Sequence, residues 1–279
     1  MQTLGYYNGE FGPLEDMKIP MNDRACWFGD GVYDATCSVN HIIFALDEHV
    51  DRFFNSAALL KINLTFTKEE LKNILSDLVL KVDCPDQFVY WQATRGTGMR
   101  AHEFPENSSS NLWIMLKPAA ERDIYKKIQL ILVEDTRYLH CNIKTLNLIP
   151  NVMASEKAKQ EGCFEAVFHR GTTVTECAHS NVHILQNGVF ITHPTDQYIL
   201  PGIGRAHLIN LCHHLDIPVV ERPFTVDELF NADEIIVSSA TTFCLSADKL
   251  DHTPVGGKAS DLLTILQDAA MKEVYEATN

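Results

Sequence analysis

The chain is short of positive charge. Its 279 residues carry 23 Lys and Arg against 37 Asp and Glu, a formal net charge of −14. That balance argues against nucleic acid and anionic membrane surfaces as partners, and it makes any anion site a local construction. Long hydrophobic runs are missing too. No window approaches the roughly 18 uninterrupted apolar residues that a spanning helix needs. The opening "MQTLGYYNGEFGPLEDMKIP" has no basic stretch leading into an apolar core, so no signal peptide is expected. The eight cysteines stand singly and form no CxxC pair, which suggests neither a zinc site nor a disulfide framework. Reduced thiols in a cytoplasm are the economical expectation, with no metal. There is no internal repeat, no low-complexity tract and no GxGxxG after a strand.

What is present reads as an α+β chain with mixed sheets. Asn8-Gly9 and Gly12-Pro13 mark a first hairpin, and Asn40-His41 a second. "LDEHVDRFFNSAALLKI" has apolar residues at helical spacing from about residue 47, and "TKEELKNILSDLVLKV" opens on a Thr-x-x-Glu capping box. "QFVYWQATRG" and "NLWIMLKP" are strands joined by a long polar loop. Pro118 and the charges after it place a domain boundary there, giving residues 1–118 and 119–279. The second part predicts a strand at "KIQLILVED", a helix around 147–161, and short strands at "FEAVFHR", "SNVHILQN" and "VFITHP". A turn then feeds a helix at "LPGIGRAHLINLCHHL". A buried strand follows at "DEIIVSSATTF", and the last element is a helix with a serine cap.

Several residues carry a chemical reading beside an ordinary one. Lys144, in "CNIKTLNLIPNVMAS", either snorkels or is an amine nucleophile in a dry pocket. Gly202 and Gly204 precede a helix; this is a turn or a backbone cradle for phosphate, with Ile203 between them. Thr241 and Thr242 at a strand end bond backbone or cap a phosphate. Arg52, among Val50, Phe53 and Phe54, is an exposed ion pair or a phosphate clamp. Glu176 is a solvated turn residue or the partner of a protonated ring nitrogen. Arg100 and His102 point the same way if their segment is extended, which suits a carboxylate; otherwise they belong to a mobile polar loop. Tyr33 is a half-buried strand tyrosine or a phenol facing a pocket. An electrophile for the lysine, a cationic ring nitrogen for the carboxylate and a phosphate for the helix start are found together in pyridoxal 5′-phosphate.

Seven motifs sharpen this: "FGDGVY" (28–33), "EHVDRF" (48–53), "TRGTGMRAHEFPE" (94–106), "IKTLNL" (143–148), "EAVFHRGTTVTE" (165–176), "GIGR" (202–205) and "SATT" (239–242). Through them almost the whole chain resembles the fold-type IV, or class IV, pyridoxal-phosphate aminotransferases, and within them the bacterial D-amino-acid aminotransferases. The resemblance implies a two-domain fold with the cofactor between the domains. It implies Lys144 as the catalytic Schiff-base and proton-shuttle residue, and Glu176 on the pyridine nitrogen. Arg52, the backbone of Ile203 and Gly204, and Thr241 would hold the phosphate. Tyr33, with Arg100 and His102 from the neighbouring subunit of a homodimer, would hold the substrate carboxylate. The reaction would be ping-pong transamination of a D-alanine-like amino acid with 2-oxoglutarate or pyruvate.

The chain departs from the family pattern at "ECAHSN", where relatives commonly carry "EGSSSN". His179 there narrows the pocket, adds a carboxylate contact or points away. Gly204 replaces a commonly hydroxylated residue, and Thr145 the usual serine. Branched-chain L-aminotransferases, (R)-amine transaminases and aminodeoxychorismate lyase share the fold and the lysine. A catalytically silent cofactor-binding protein is the non-enzyme alternative, and both Lys144 and Glu176 being present argue against it.

Overall fold

The computed structural model describes residues 2–106, 108–120 and 123–279. The chain divides into two compact units. One comprises Met1–Glu121, Ile143–Asn147 and Glu276–Asn279, the other Arg122–Asn142 and Leu148–Tyr275. The single division expected at Pro118 assigns the Lys144 segment to the second part, whereas Ile143–Asn147 packs with the first unit. Its backbone makes the difference, because Thr145 bridges Val32 in antiparallel fashion.

The first unit runs β1 (Leu4–Tyr7), β2 (Glu10–Gly12), α1 (Arg24–Phe28), β3 (Gly31–Val39), β4 (Ile42–Ile43), α2 (Leu46–Leu59), α3 (Lys68–Val79), β5 (Gln87–Thr94) and β6 (Asn111–Pro118). Its six strands form an antiparallel sheet in the order β2-β1-β6-β5-β3-β4. Asn8 and Gly9 turn the first hairpin with positive φ, and Asn40 and His41 the second. Thr67 and Glu70 form the capping box of α3. Phe53 and Ala57 of α2 and Leu71 and Leu75 of α3 share a core with Val89, Trp91 and Ile114 of the sheet. Burying such side chains contributes about 1.5–3 kcal/mol each.

The second unit runs β7 (Lys127–Glu134), α4 (Ile149–Gln160), β8 (Glu165–Arg170), β9 (Thr173–Cys177), β10 (Asn181–Gln186), β11 (Val189–Thr192), α5 (Ile203–His214), β12 (Val219–Glu221), β13 (Phe224–Thr225), α6 (Val226–Asn231), β14 (Glu234–Ser238), β15 (Leu245–Leu250), β16 (Thr253–Pro254) and α7 (Ser260–Ala277). Nine strands follow the order β12-β11-β10-β14-β15-β7-β8-β9-β13, with β16 on β15. Three of the pairings are parallel, so the sheet is mixed. Leu208 and Cys212 of α5 and Leu263 and Leu266 of α7 share one core with Phe190 and Ile236. Ala154 and Ala158 of α4 share another with Ile131 and Phe168. The expected serine cap of the last helix is instead its first helical residue. The preceding N–H, of Ala259, is bound by the Glu234 carboxylate at 3.0 Å. Among the described residues no helix is long and apolar enough to cross a membrane.

Candidate active site

The candidate residues fall in both units. In the first, the "FGDGVY" motif sets the backbone on which Lys144 rests. Gly29 adopts a left-handed conformation (φ 61°) that ends α1. Gly31 meets a close approach: a Cβ there would lie 2.6 Å from the Ala93 carbonyl oxygen and 2.7 Å from Leu146 Cδ1. Without that Cβ, the lysine segment lies directly along β3. Leu146 N–H donates to Gly31 O at 3.1 Å, and Tyr33 N–H to Lys144 O at 2.9 Å. Lys144 N–H in turn donates to Ser56 Oγ at 3.2 Å. The half-buried Lys144 ammonium sits 4.3 Å from the centre of the Tyr33 ring. Tyr33 itself stacks on Tyr90 at 5.5 Å.

Arg52 is neither exposed nor alone. It donates from Nε to Asp34 Oδ2 at 2.9 Å and from Nη2 to Asp34 Oδ1 at 2.7 Å, a bidentate pair that fixes the guanidinium plane. His49, three residues earlier on α2, lies 2.8 Å through Nδ1 from the same Oδ1. Burial opposes the charge on Asp34, but the Arg52 charge and the His49 hydrogen bond hold its carboxyl well below the usual range. Burial also pushes His49 down against the pull of Asp34, and nearby Arg52 and Lys144 add to that depression. Asp34 and His49 escaped sequence reasoning. The Asp sits inside an apolar strand, and only the His-x-x-Arg spacing on α2 signals a shared helix face.

Arg100 and His102 are exposed, and both rest against one ring. The Arg100 guanidinium carbon lies 5.2 Å from the Phe28 centre, and the His102 ring centre lies 5.2 Å from it as well. Their loop is anchored rather than free. Arg24 donates to the carbonyls of Ala101 and Glu103 at 2.8 and 3.2 Å, and Arg24 and Arg95 share the Asp30 carboxylate.

In the second unit, Glu176, next to last in β9, is nearly fully buried. Its Oε1 receives Arg137 Nη1 at 2.5 Å; its Oε2 receives Asn181 Nδ2 at 3.0 Å and Leu200 N–H at 2.9 Å. Arg137 is itself held by Asp135, from Nε at 2.9 Å and from Nη2 at 3.0 Å, and by the Tyr198 carbonyl. Burial alone would lower the Arg137 pKa, but the Glu176 and Asp135 carboxylates raise it above its ordinary value. The solvated turn glutamate is thereby set aside. Arg137 was missed because its signal, Asp-x-Arg at a strand end, is common and local.

The turn into α5 is a glycine-framed helix start. Gly202 precedes the helix with no side-chain cap, and no acidic residue lies in the first turn, so neither a capping side chain nor a first-turn carboxylate offsets the positive end of the helix dipole. A Cβ on Gly204 would lie 2.9 Å from the Ser239 carbonyl oxygen, so the helix start and the Ser239–Thr242 turn approach as closely as glycine permits. Ser239 Oγ gathers the hydroxyls of Thr241 and Thr242 at 3.3 and 2.9 Å. His179 pairs with a carboxylate. Its Nδ1 is 2.8 Å from Glu165 Oε2, its ring meets Phe164, and it is more than half exposed. Cys177 is fully buried, and burial pushes its thiol pKa up.

Taken by chemistry alone, a lysine amine in the first unit suits an aldehyde, and in the second a carboxylate locked by an arginine suits a ring nitrogen and a glycine-lined helix start beside hydroxyls suits a phosphate, the three groups of pyridoxal 5′-phosphate. Comparison with known proteins agrees. Residues 31–250 match the family described as amino-transferase class IV. The D-alanine aminotransferase of Staphylococcus haemolyticus is 37% identical over 276 residues, covering 98% of each chain. That of Bacillus licheniformis is 34% identical over 274 residues, covering 96% of this chain and 97% of the relative. Among solved structures, the Escherichia coli branched-chain amino acid aminotransferase superposes with a TM-score of 0.90 at 20% identity, covering 99% of this chain and 95% of that one. The Thermoproteus uzoniensis branched-chain aminotransferase, solved with norvaline, gives 0.88 at 20% identity, covering 98% and 95%. At that identity these structures speak for the fold alone. The chain belongs to the class IV aminotransferases, and it is a pyridoxal phosphate-dependent enzyme.

Proposed function

We propose that the protein transfers the amino group of a D-alanine-like amino acid to a 2-oxo acid such as 2-oxoglutarate or pyruvate. The observation that carries this reading is the near full-length similarity to D-alanine aminotransferases. Arg100 and His102, both against the Phe28 ring, support it, since a guanidinium and an imidazole on one platform suit a carboxylate. When bound, the cofactor supplies an electrophilic aldehyde and a ring that accepts the electron pair released at the substrate Cα. Lys144 Nζ takes the Cα proton and later returns one, and its main-chain bonds to β3 and Ser56 hold it in register. Glu176 keeps the ring nitrogen protonated, and Arg137 and Asn181 keep Glu176 in place. Arg52, the N–H groups of Ile203 and Gly204, and Thr241 bind the phosphate. Tyr33 binds the substrate carboxylate together with Arg100 and His102 of the partner subunit. The order is ping-pong, with one 2-oxo acid leaving before the next binds.

The homodimer in this proposal is supported by large exposed apolar side chains in each unit: Met21, Met99 and Phe104 in the first, Ile149, Val152 and Met153 in the second. A cytoplasmic setting accords with eight free thiols.

The test is to mix the yellow holoprotein with D-alanine, L-leucine and (R)-1-phenylethylamine separately and follow the cofactor absorbance. Bleaching by D-alanine alone is the expected result. Bleaching by L-leucine alone makes the enzyme a branched-chain L-aminotransferase, and bleaching by the amine alone removes Arg100 and His102 as the carboxylate trap.

A further inference from the structure

His183 on β10 has no part in the chemistry above, yet it is wholly buried and both ring nitrogens are bonded. Nδ1 lies 2.8 Å from Thr192 Oγ1 on β11, and Nε2 lies 2.8 Å from Ser238 Oγ at the end of β14. Its ring lies against Phe190, with centres 5.0 Å apart. The chain of bonds continues. Arg205, the third residue of α5, donates from Nε to Thr192 Oγ1 at 3.1 Å. Its Nη2 donates to the His193 carbonyl at 2.9 Å and to the Glu221 carboxylate at 2.5 Å. Burial, with the Arg205 charge, pushes the His183 pKa down to about 3, so the imidazole is neutral in ordinary buffers. A neutral imidazole donates at one nitrogen and accepts at the other. A Thr192 hydroxyl that accepts from Arg205 keeps its own proton to donate to Nδ1, and in that tautomer Nε2–H donates to Ser238.

The two ends of this relay are the two walls of the anion cradle. Arg205 belongs to the first turn of α5, whose main-chain N–H groups have no side-chain cap. Ser238 directly precedes Ser239, whose Oγ accepts the N–H groups of Thr241 and Thr242 at 3.3 and 3.2 Å. The Gly204 approach to Ser239 leaves no slack between the walls. Donors that bind an anion through main-chain groups must be held within roughly 0.5 Å of their productive places. We propose that His183 is a positioning residue for the cofactor phosphate, a neutral buried strut that fixes the start of α5 against the Ser239–Thr242 turn. This rests on the cofactor reading above and goes beyond it, because His183 itself touches no part of the cofactor.

The test compares pyridoxal 5′-phosphate with pyridoxal, which has the same ring and aldehyde but no phosphate. Both are titrated by absorbance into the full-length chain freed of cofactor. In the His183→Phe variant the Kd for pyridoxal 5′-phosphate rises about tenfold while that for pyridoxal changes less than about twofold. His183→Gln, which can still donate to Ser238, recovers part of the loss. Thr192→Val cuts the relay from its other side and reproduces the selective loss, so it decides the matter if His183→Phe does not fold. Equal weakening toward both ligands, or no change in either, overturns the proposal, since the network then serves only the fold. A wild-type chain that binds both ligands alike overturns the cofactor reading itself.

Discussion

In the first unit Asp34 spends both carboxylate oxygens on Arg52 and His49, so that a buried acid aims a cation. In the second unit Arg137 is braced by Asp135 and reaches Glu176, so that a buried cation aims an acid. The same ion-pair chemistry is used in opposite senses. In the proposed site, the member assigned to the cofactor is in each case the one a neighbour orients: Arg52 for the phosphate, Glu176 for the ring nitrogen. A buried pair is weak evidence of stabilisation but strong evidence of fixed geometry, because removing one partner leaves an uncompensated charge.

The largest way to break the comparison is Asp34→Ala. It leaves Arg52 and His49 buried without their acid and is expected to lower stability by about 3–5 kcal/mol, measured by urea denaturation. Next comes Glu176→Gln, which keeps the shape and removes the charge. Transamination falls about a hundredfold while stability falls by only about 1–2 kcal/mol, so steady-state kinetics and denaturation separate the two units cleanly.

Acid sharpens the contrast. The Asp34 carboxyl lies below its unfolded value of 3.8, so its contribution is complete above that pH and is lost as pH falls through the lower folded value. His183 acts in the same sense but over a higher window. Its folded value of about 3 lies below the unfolded 6.5, so the unfolded chain takes the proton first and stability falls as pH drops from 6.5 toward 3. The slope approaches about 1.4 kcal/mol per pH unit and is missing from His183→Phe, which denaturation at pH 7, 5.5 and 4.5 checks.

Gly202→Ala comes next. Its Cβ would lie 1.9 Å from Asn181 Oδ1, and Asn181 cannot swing aside without leaving Glu176 and the Leu200 carbonyl. A loss of about 1–3 kcal/mol is expected, with a weaker cofactor band. The smallest effect belongs to His179→Ala. The pair with Glu165 is half in solvent, so stability changes by less than about 1 kcal/mol and the range of accepted substrates stays the same. A changed substrate range would return His179 to the pocket.

These contrasts also mark what the sequence discloses. The local signals were legible: the Thr67–Glu70 capping box, the Asn8-Gly9 and Asn40-His41 turns, and the period of α2 are each written within a few residues. The motif residues Lys144, Glu176 and Gly204 were legible as candidates because each breaks the pattern around it. The residues that orient them were not. Asp34 reaches Arg52 across 18 positions, Arg137 reaches Glu176 across 39, and Asp135 lies between two arginines from different strands and loops. Such partners are chosen by tertiary packing, and nothing in a hydrophobic period or a cap reports them. The placement of Lys144 beside β3 escaped notice for the same reason, since a bridge between Val32 and Thr145 leaves no local trace.

That bridge has a consequence for how such an enzyme changes over time. The lysine is registered through main-chain atoms, with Tyr33 N–H on its own carbonyl and Leu146 N–H on that of Gly31. Main-chain registration is indifferent to most side-chain replacements nearby. Replacements among the side chains around it, at Tyr33 or Tyr90 for example, can therefore change the surroundings of the Lys144 amine while the amine stays where it was. The position of the amine and the make-up of its surroundings are inherited separately, and a lineage can vary the second without first losing the first.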